Sequence, residues 1–266
     1  MVKMYVSTFG RKVKWEDGIP IEVGAALRNN CHYELRDDQG DNISEDNPYY
    51  GELTGLYYIW KNLEFDEADI VGYCHYNKRL NISFEDVMKY FSFSPMNKEG
   101  TRWIVMKQVH MPCHAYPEDT TVLLDVLREY YPDYYDAWER VFDASGEGYC
   151  SSGQMFYTTA EELDKYCTFL FGVLEKVRNR IGNVDREAYH KRYCAFFGER
   201  LTNVYYAADP NSHVLYIERE NAGRNKKKQI VKEIATFVLP KKLYDKALNL
   251  LKKKTGRIYV GSYKGK

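Results

Sequence analysis

The chain has 266 residues, and its 38 Lys and Arg balance 38 Asp and Glu for a formal net charge of zero. That length buries a full core, one domain plus an appendage. The six Cys form no C-x-x-C and several sit in apolar runs, which sets aside a disulfide framework in favour of buried free thiols. MVKMYVSTFGRK lacks the apolar stretch of a signal peptide, and no run approaches the ~18 apolar residues of a spanning helix. The expectation is a reducing, cytoplasmic protein.

The zero net charge hides an asymmetry. From Arg224 onward Lys and Arg dominate, with Glu233 and Asp245 the only acids, so residues 1–223 are net acidic. Tyr outnumbers Phe 25 to 12. A ring with a hydroxyl suits saccharide, nucleotide and interface sites, although a Tyr-rich genome gives the same count.

In chain order, Met4–Thr8 reads as a first strand running into Thr8-Phe9-Gly10-Arg11, a short glycine-containing loop of the kind that begins nucleotide sites. The segment Leu35 to Ser44 places Asp37, Asp38 and Asp41 around Gly40, with Asn42 beside them. Its two readings are an oxygen-ligand loop for Mg²⁺ or Ca²⁺ and a solvated turn whose side chains bond local backbone. It is not an EF-hand, because the closing Glu is missing. Glu52 to Asn62 carries Leu53, Leu56, Tyr57, Ile59 and Trp60 at helical spacing. Asp69 to Tyr76 then gives a nearly continuous apolar run, which suits a central strand covered on both faces. It stops at His75, Tyr76, Asn77, Lys78 and Arg79. In open α/β sheets ligands bind beyond the carboxyl ends of strands, so this basic cluster is a candidate anion site.

Phe84–Phe93 reads as a helix and Arg102–Met106 as a strand. His110 and His114 flank Pro112, which argues against the helix that an H-x-x-x-H zinc pair needs. Helices are expected over 120–131, 134–142 and 159–177, the last opened by a Thr159/Glu162 capping box. Ser151-Ser152-Gly153 leads as a loop into a short strand with Gln154 and Met155. Tyr189 to Tyr206 reads as a helix buried along one side, with His190, Arg192, Glu199 and Arg200 inside it. A Glu–Arg pair there either braces the fold or has chemical work. Residues 221–266 form a basic amphipathic arm; Leu243, Ala247, Leu250 and Leu251 share one face flanked by Lys. That pattern is expected at a membrane surface or a partner, and the acidic body argues against nucleic acid.

The blocks RDDQGDNISEDN, ELTGLYYIWKN, GYCHYNKRL, QMFY and FFGERLTNVYY, in this order, resemble the bacterial family called domain of unknown function 4422. The resemblance covers about residues 1–220. It implies an α/β, GT-A-like nucleotide-diphospho-sugar transferase domain, with a mixed central sheet flanked by helices, and the arm at 221–266 outside it. The family occurs in gene sets for capsule, exopolysaccharide and lipopolysaccharide, with some members linked to galactofuranose. The usual His-Tyr-Arg-Arg stands here as His75-Tyr76-Asn77-Lys78, with Arg79 one place later.

What the resemblance implies is a UDP-sugar donor and a glycan or lipid-linked glycan acceptor; the basic composition of residues 224–266 separately gives the expectation of a place at the inner face of the plasma membrane. His75, Tyr76, Lys78 and Arg79 are then expected to meet the leaving diphosphate, and Glu199 to act as general base or sugar-orienting group. Arg200 is expected on Glu199 or phosphate, and Glu52 and Thr54 in the donor pocket. Thr8, Asp37, Asp38, Asp41, Asn42 and Met155 complete the substrate-binding candidates, with Asp38 and Asp41 as ligands if Mn²⁺ or Mg²⁺ takes part. The alternative is a non-catalytic sugar- or nucleotide-binding scaffold of a polysaccharide assembly complex, and a third is an adaptor working through its basic arm.

Overall fold

The computed structural model describes residues 1–92 and 100–222. In chain order the described elements are β1 (Val2–Thr8), β2 (Ile19–Glu22), α1 (Asn47–Tyr50), α2 (Leu53–Asn62), β3 (Ile70–His75), β4 (Lys78–Leu80), α3 (Phe84–Ser92), β5 (Arg102–Met106) and β6 (Val109–Met111). They continue with α4 (Pro117–Tyr130), α5 (Pro132–Val141), β7 (Gly148–Cys150), β8 (Phe156–Thr159), α6 (Ala160–Ile181), α7 (Tyr193–Ala208), β9 (His213–Ile217) and β10 (Arg219–Asn221). Met1–Glu220 forms one compact unit. The basic arm expected over 224–266, with its amphipathic helix, lies outside the described residues.

The main sheet is mixed. β1 runs parallel to β2 and β3, β8 runs antiparallel between β3 and β5, and β5 is parallel to β9. Successive residues of these strands point to opposite faces, and both faces are covered. Met4, Val6, Ile70, Cys74, Ile104 and Met106 join the core on the side of α3, with Val87. Tyr5, Val71, Tyr73, Trp103 and Val105 join the larger core built with α2, α4, α5, α6 and α7. Two covered faces explain why the apolar run of β3 lacks alternation. Gly72 has a steric reason: a Cβ there would lie 2.3 Å from the Tyr157 ring on β8.

Most helices expected from the pattern are present, and Thr159 Oγ1 accepts from Glu162 N at 3.2 Å to cap α6. One boundary moves. The buried helix begins at Tyr193, leaving Tyr189 to Arg192 in the turn that precedes it. His110 lies on β6, which pairs with β7, and His114 follows it in a loop, so the two do not share a helix face. All six cysteines are free thiols, four of them buried. Among the described residues no helix is long and apolar enough to cross a membrane.

Candidate active site

Strand direction decides which segments meet. β1 and β3 end together, with Ser7 opposite His75. Tyr76 N donates to Ser7 O at 2.9 Å and Trp15 Nε1 to His75 O at 3.0 Å, which closes the ladder. Because β8 is reversed, the loop that leads into it arrives at this same edge, with Phe156 opposite Tyr73. Tyr73 OH donates to Glu52 O at 2.6 Å and fixes the start of α2 there. The start of α7 joins through Arg192, which donates to the Glu52 carboxylate at 2.9 Å.

Gly153 is the hub. Its N–H donates to Glu199 Oε1 at 2.7 Å, and its carbonyl bonds the Nε2 of His75. As a carbonyl only accepts, this nitrogen carries the hydrogen, and Nδ1 is left toward Ser7 Oγ at 3.5 Å. Gly153 has φ +85°, and the next residue, buried Gln154, has φ +46°, a left-handed conformation that is costly for a side chain other than glycine. Gln154 is held there by Tyr166 and Thr202, whose hydroxyls donate to its Oε1 at 3.2 and 3.1 Å. Its Nε2 is buried without a hydrogen-bond partner.

The two carboxylates are pushed apart electrostatically. Burial raises the Glu199 carboxyl above its ordinary range and the Glu52 charge adds to this, against the opposing effect of Arg200. Burial also works against the Glu52 carboxylate, but His75, Arg192 and Lys78 outweigh it and hold Glu52 below the usual range. For His75, burial favours the neutral ring, helped by Lys78 and opposed by Glu52. The side chains of Glu52 and Glu199 remain 14% and 17% exposed. Among the described residues the Lys78 side chain has no hydrogen bond or ion pair. The arrangement offers a carboxyl poised to take a proton, an ionised carboxylate, a fixed imidazole and two cations.

The expected residues divide accordingly. Glu52, His75, Lys78 and Glu199 come together. Arg79 is engaged elsewhere: it pairs with Asp17 at 2.9 Å and Glu220 at 3.0 Å and packs on Trp15. Arg200, expected on Glu199 or on phosphate, is fully buried and donates to the carbonyls of Pro112, Gly146 and Phe196. It keeps a 3.5 Å contact with Glu199 and braces the fold. Tyr76 packs against the core on the α3 side, and Met155 is buried there. Thr54 is buried, its hydroxyl bonded to Gly51 O and Asn47. Thr8 donates to Arg11 O and accepts from Arg11 N, folding the loop after β1.

The aspartate segment is a structural turn. Asp37 is fully buried and accepts from Gly24 N, Ala25 N and Ser44 Oγ. Asp38 is bonded to Arg36, and Asn42 bonds Gly40 O and Ser44 N. Asp41 accepts from Tyr57 OH and is tied to Asn62, at the far end of α2 from Glu52. Ten helical residues separate those ends, about 15 Å. Asp38 and Asp41 are thus each engaged by a different side chain, Arg36 and Tyr57, and Asp41 lies away from the cluster around Glu52. Among the described residues no group of three or more His, Cys, Asp or Glu side chains is arranged to hold a metal ion.

Reading the residues alone missed Gly153, Gln154 and Arg192 as members of the site. Arg192 carried a signal, since a cation just before a buried helix needs a partner. A surface pocket lined by Trp60, Phe65 and Asp164 contains none of these groups.

Comparison with known proteins adds the following. The search of curated proteins returned no match. Among solved structures, the apo structure of the bifunctional glycosyltransferase WbbM superposes with a TM-score of 0.69 at 23% identity. The match covers 84% of this chain and 45% of that one, so the chain spans less than half that protein's length. The shared architecture, a mixed sheet flanked by helices, is GT-A-like. The family profile described as "Domain of unknown function (DUF4422)" matches residues 11–210. With three-quarters of its length inside that match, the chain belongs to the DUF4422 family.

Proposed function

We propose that the protein is a glycosyltransferase that moves a sugar, galactofuranose or another hexose, from a UDP-sugar to a hydroxyl of a growing cell-surface glycan. One observation carries this reading: two carboxyls of opposite tendency, Glu199 raised and Glu52 ionised, share the carboxyl edge of parallel strands with Lys78 and Arg192. The fold shared with a glycosyltransferase supports it.

In the reaction, an acceptor hydroxyl gives its proton to Glu199 while its oxygen bonds to the anomeric carbon. The bond from that carbon to the diphosphate breaks, and UDP leaves with the electron pair. A base whose affinity for protons is raised toward neutrality is matched to this task. Lys78 and the 40% exposed Arg192 meet the charge on the departing diphosphate. His75, anchored on Gly153 O, holds the loop that positions Glu199. The excess of cations after residue 223 supports a contact with an anionic membrane leaflet, where lipid-linked acceptors reside.

The test is a melting-temperature screen of the protein against UDP-sugars, with and without Mn²⁺. A ligand at 100 times its Kd stabilises by about 2.7 kcal/mol. A shift with one UDP-sugar in the absence of metal is expected. No shift with any nucleotide sugar, with lipid present, sinks the transferase reading and favours a scaffold.

A further inference from the structure

Beside the base lies a wall of rings that the chemistry above does not use. The turn before α7 is closed by His190 N to Glu187 O at 2.9 Å and Arg192 N to Tyr189 O at 3.3 Å. It presents Tyr189, whose side of the molecule is open: the residue is 39% exposed. Behind it, Tyr189 meets Phe196 at 5.1 Å and His114 at 5.9 Å between centroids, and His190 stacks on Tyr116 at 4.8 Å and 22°. Phe196 sits three residues before Glu199 on α7, so the wall and the base share one face of that helix. The charge of Glu199 is felt at the Tyr189 phenol, whose proton is held mainly by burial and then by that carboxylate.

A second observation is independent of the rings. His190 Nδ1 is buried without a hydrogen-bond partner, although its ring is only partly covered. Unspent polar atoms of this kind call for an explanation, and a ligand hydroxyl is one. Flat rings with a few polar atoms at their edge fit a sugar, whose C–H face lies on the ring while its hydroxyls bond the rim.

We propose that this wall is the acceptor subsite: a neutral sugar ring of the glycan rests on Tyr189, with one hydroxyl toward His190 Nδ1 and the reacting one toward Glu199. The assignment rests on the transferase reading for the role of the sugar, not for its binding. The donor diphosphate then lies on the cationic side, at Lys78 and Arg192, and the two substrates approach Glu199 from different directions.

The experiment uses the full chain, with 1 mM UDP, on an array of bacterial surface oligosaccharides. The wild type is expected to bind a subset of glycans. Tyr189→Ala is expected to weaken them about tenfold, Tyr189→Phe to keep them, and His190→Phe, which keeps a ring and removes the nitrogens, to weaken them severalfold. In parallel, each variant's melting shift with UDP-sugars is expected to match the wild type, because the wall does not hold the donor. Wild type bound to no glycan, or Tyr189→Ala bound as strongly as wild type, overturns the subsite. Glycan binding through Tyr189 without any UDP-sugar shift keeps the subsite and removes the transferase reading, so the two failures are distinguishable.

Discussion

Arg192 donates to Glu52 at 2.9 Å across 140 residues of sequence, joining the turn before the last helix to the start of the first long one. This contact helps keep Glu52 ionised despite burial. Arg192→Met should therefore destabilise the protein, by about 1 kcal/mol or less because the guanidinium is 40% exposed. The pH dependence has a definite sign. A carboxyl depressed in the folded state contributes stability above its unfolded pKa and loses it as pH falls through the folded value. The deficit of Arg192→Met, measured by urea titration, should be full at pH 7 and vanish at pH values below the ordinary carboxylate range.

Glu199 runs the other way. Its folded-state carboxyl is raised, mainly by burial, so the fold binds that proton more tightly than the unfolded chain does. Stability is therefore lost as pH rises from the unfolded pKa to the folded one, and the deficit stays at neutral pH. Glu199→Gln keeps an acceptor for Gly153 N–H and removes the buried charge. It should melt higher than wild type at pH 7, with the difference closing in acid, while turnover falls about 10²–10⁴-fold. Near-normal turnover with an unchanged pH profile would show that Glu199 is not the base.

Lys78 and Arg79 are neighbours with different duties. Among the described residues the Lys78 side chain has no hydrogen-bond or ion-pair partner, whereas Arg79 holds Asp17 and Glu220. Lys78→Ala should lower kcat about 10²–10³-fold with little change in melting temperature. Arg79→Ala should leave UDP-sugar affinity within about twofold and cost about 1 kcal/mol of stability, since its partners are surface acids. Isothermal calorimetry with UDP and denaturant melts separate the two, and the reverse pattern refutes the division.

Gly153→Ala tests the hub. At φ +85° any side chain is strained, and the new Cβ would sit 3.3 Å from Met155 Cε and 3.7 Å from His75 Nε2. A loss of about 1–3 kcal/mol is expected. Turnover should fall further than folding accounts for, because the peptide that holds both His75 and Glu199 moves. The imidazole ¹⁵N shifts of His75 should then leave the Nε2–H tautomer pattern; unchanged shifts would argue against the Gly153 bond.

Much of the fold was legible in the residues, for reasons that stay local. The unbroken run Ile70–Cys74 announces a strand covered on both faces, and Leu53, Leu56 and Ile59 announce a helix with one buried side. Half of the site was legible as well, because His75 and Lys78 close an apolar run at its polar end. What escaped depends on partners far away in sequence. Nothing near Arg79 reveals Asp17 and Glu220, and nothing in Glu199-Arg200 tells which of the two is fully buried. Three-residue strands such as Val109–Met111 and Gly148–Cys150 carry too little pattern to be seen before they pair. The aspartates of 37–41 look like metal ligands until the backbone donors that Asp37 serves are in place.

The late position of α7 has a consequence for how the protein comes into being. Synthesis proceeds from the N-terminus, and the chain folds as it emerges. Once 159 residues are out, Ser7, Glu52, His75 and Gly153 have all the strands they need to line up. The nascent protein still lacks Arg192 and Glu199, and with them the countercharge of Glu52 and the second carboxyl of the site. The site is therefore completed only when Tyr193–Ala208 leaves the ribosome and packs, so that a chain interrupted before that point holds Glu52 and His75 without the carboxylate that Gly153 N–H serves.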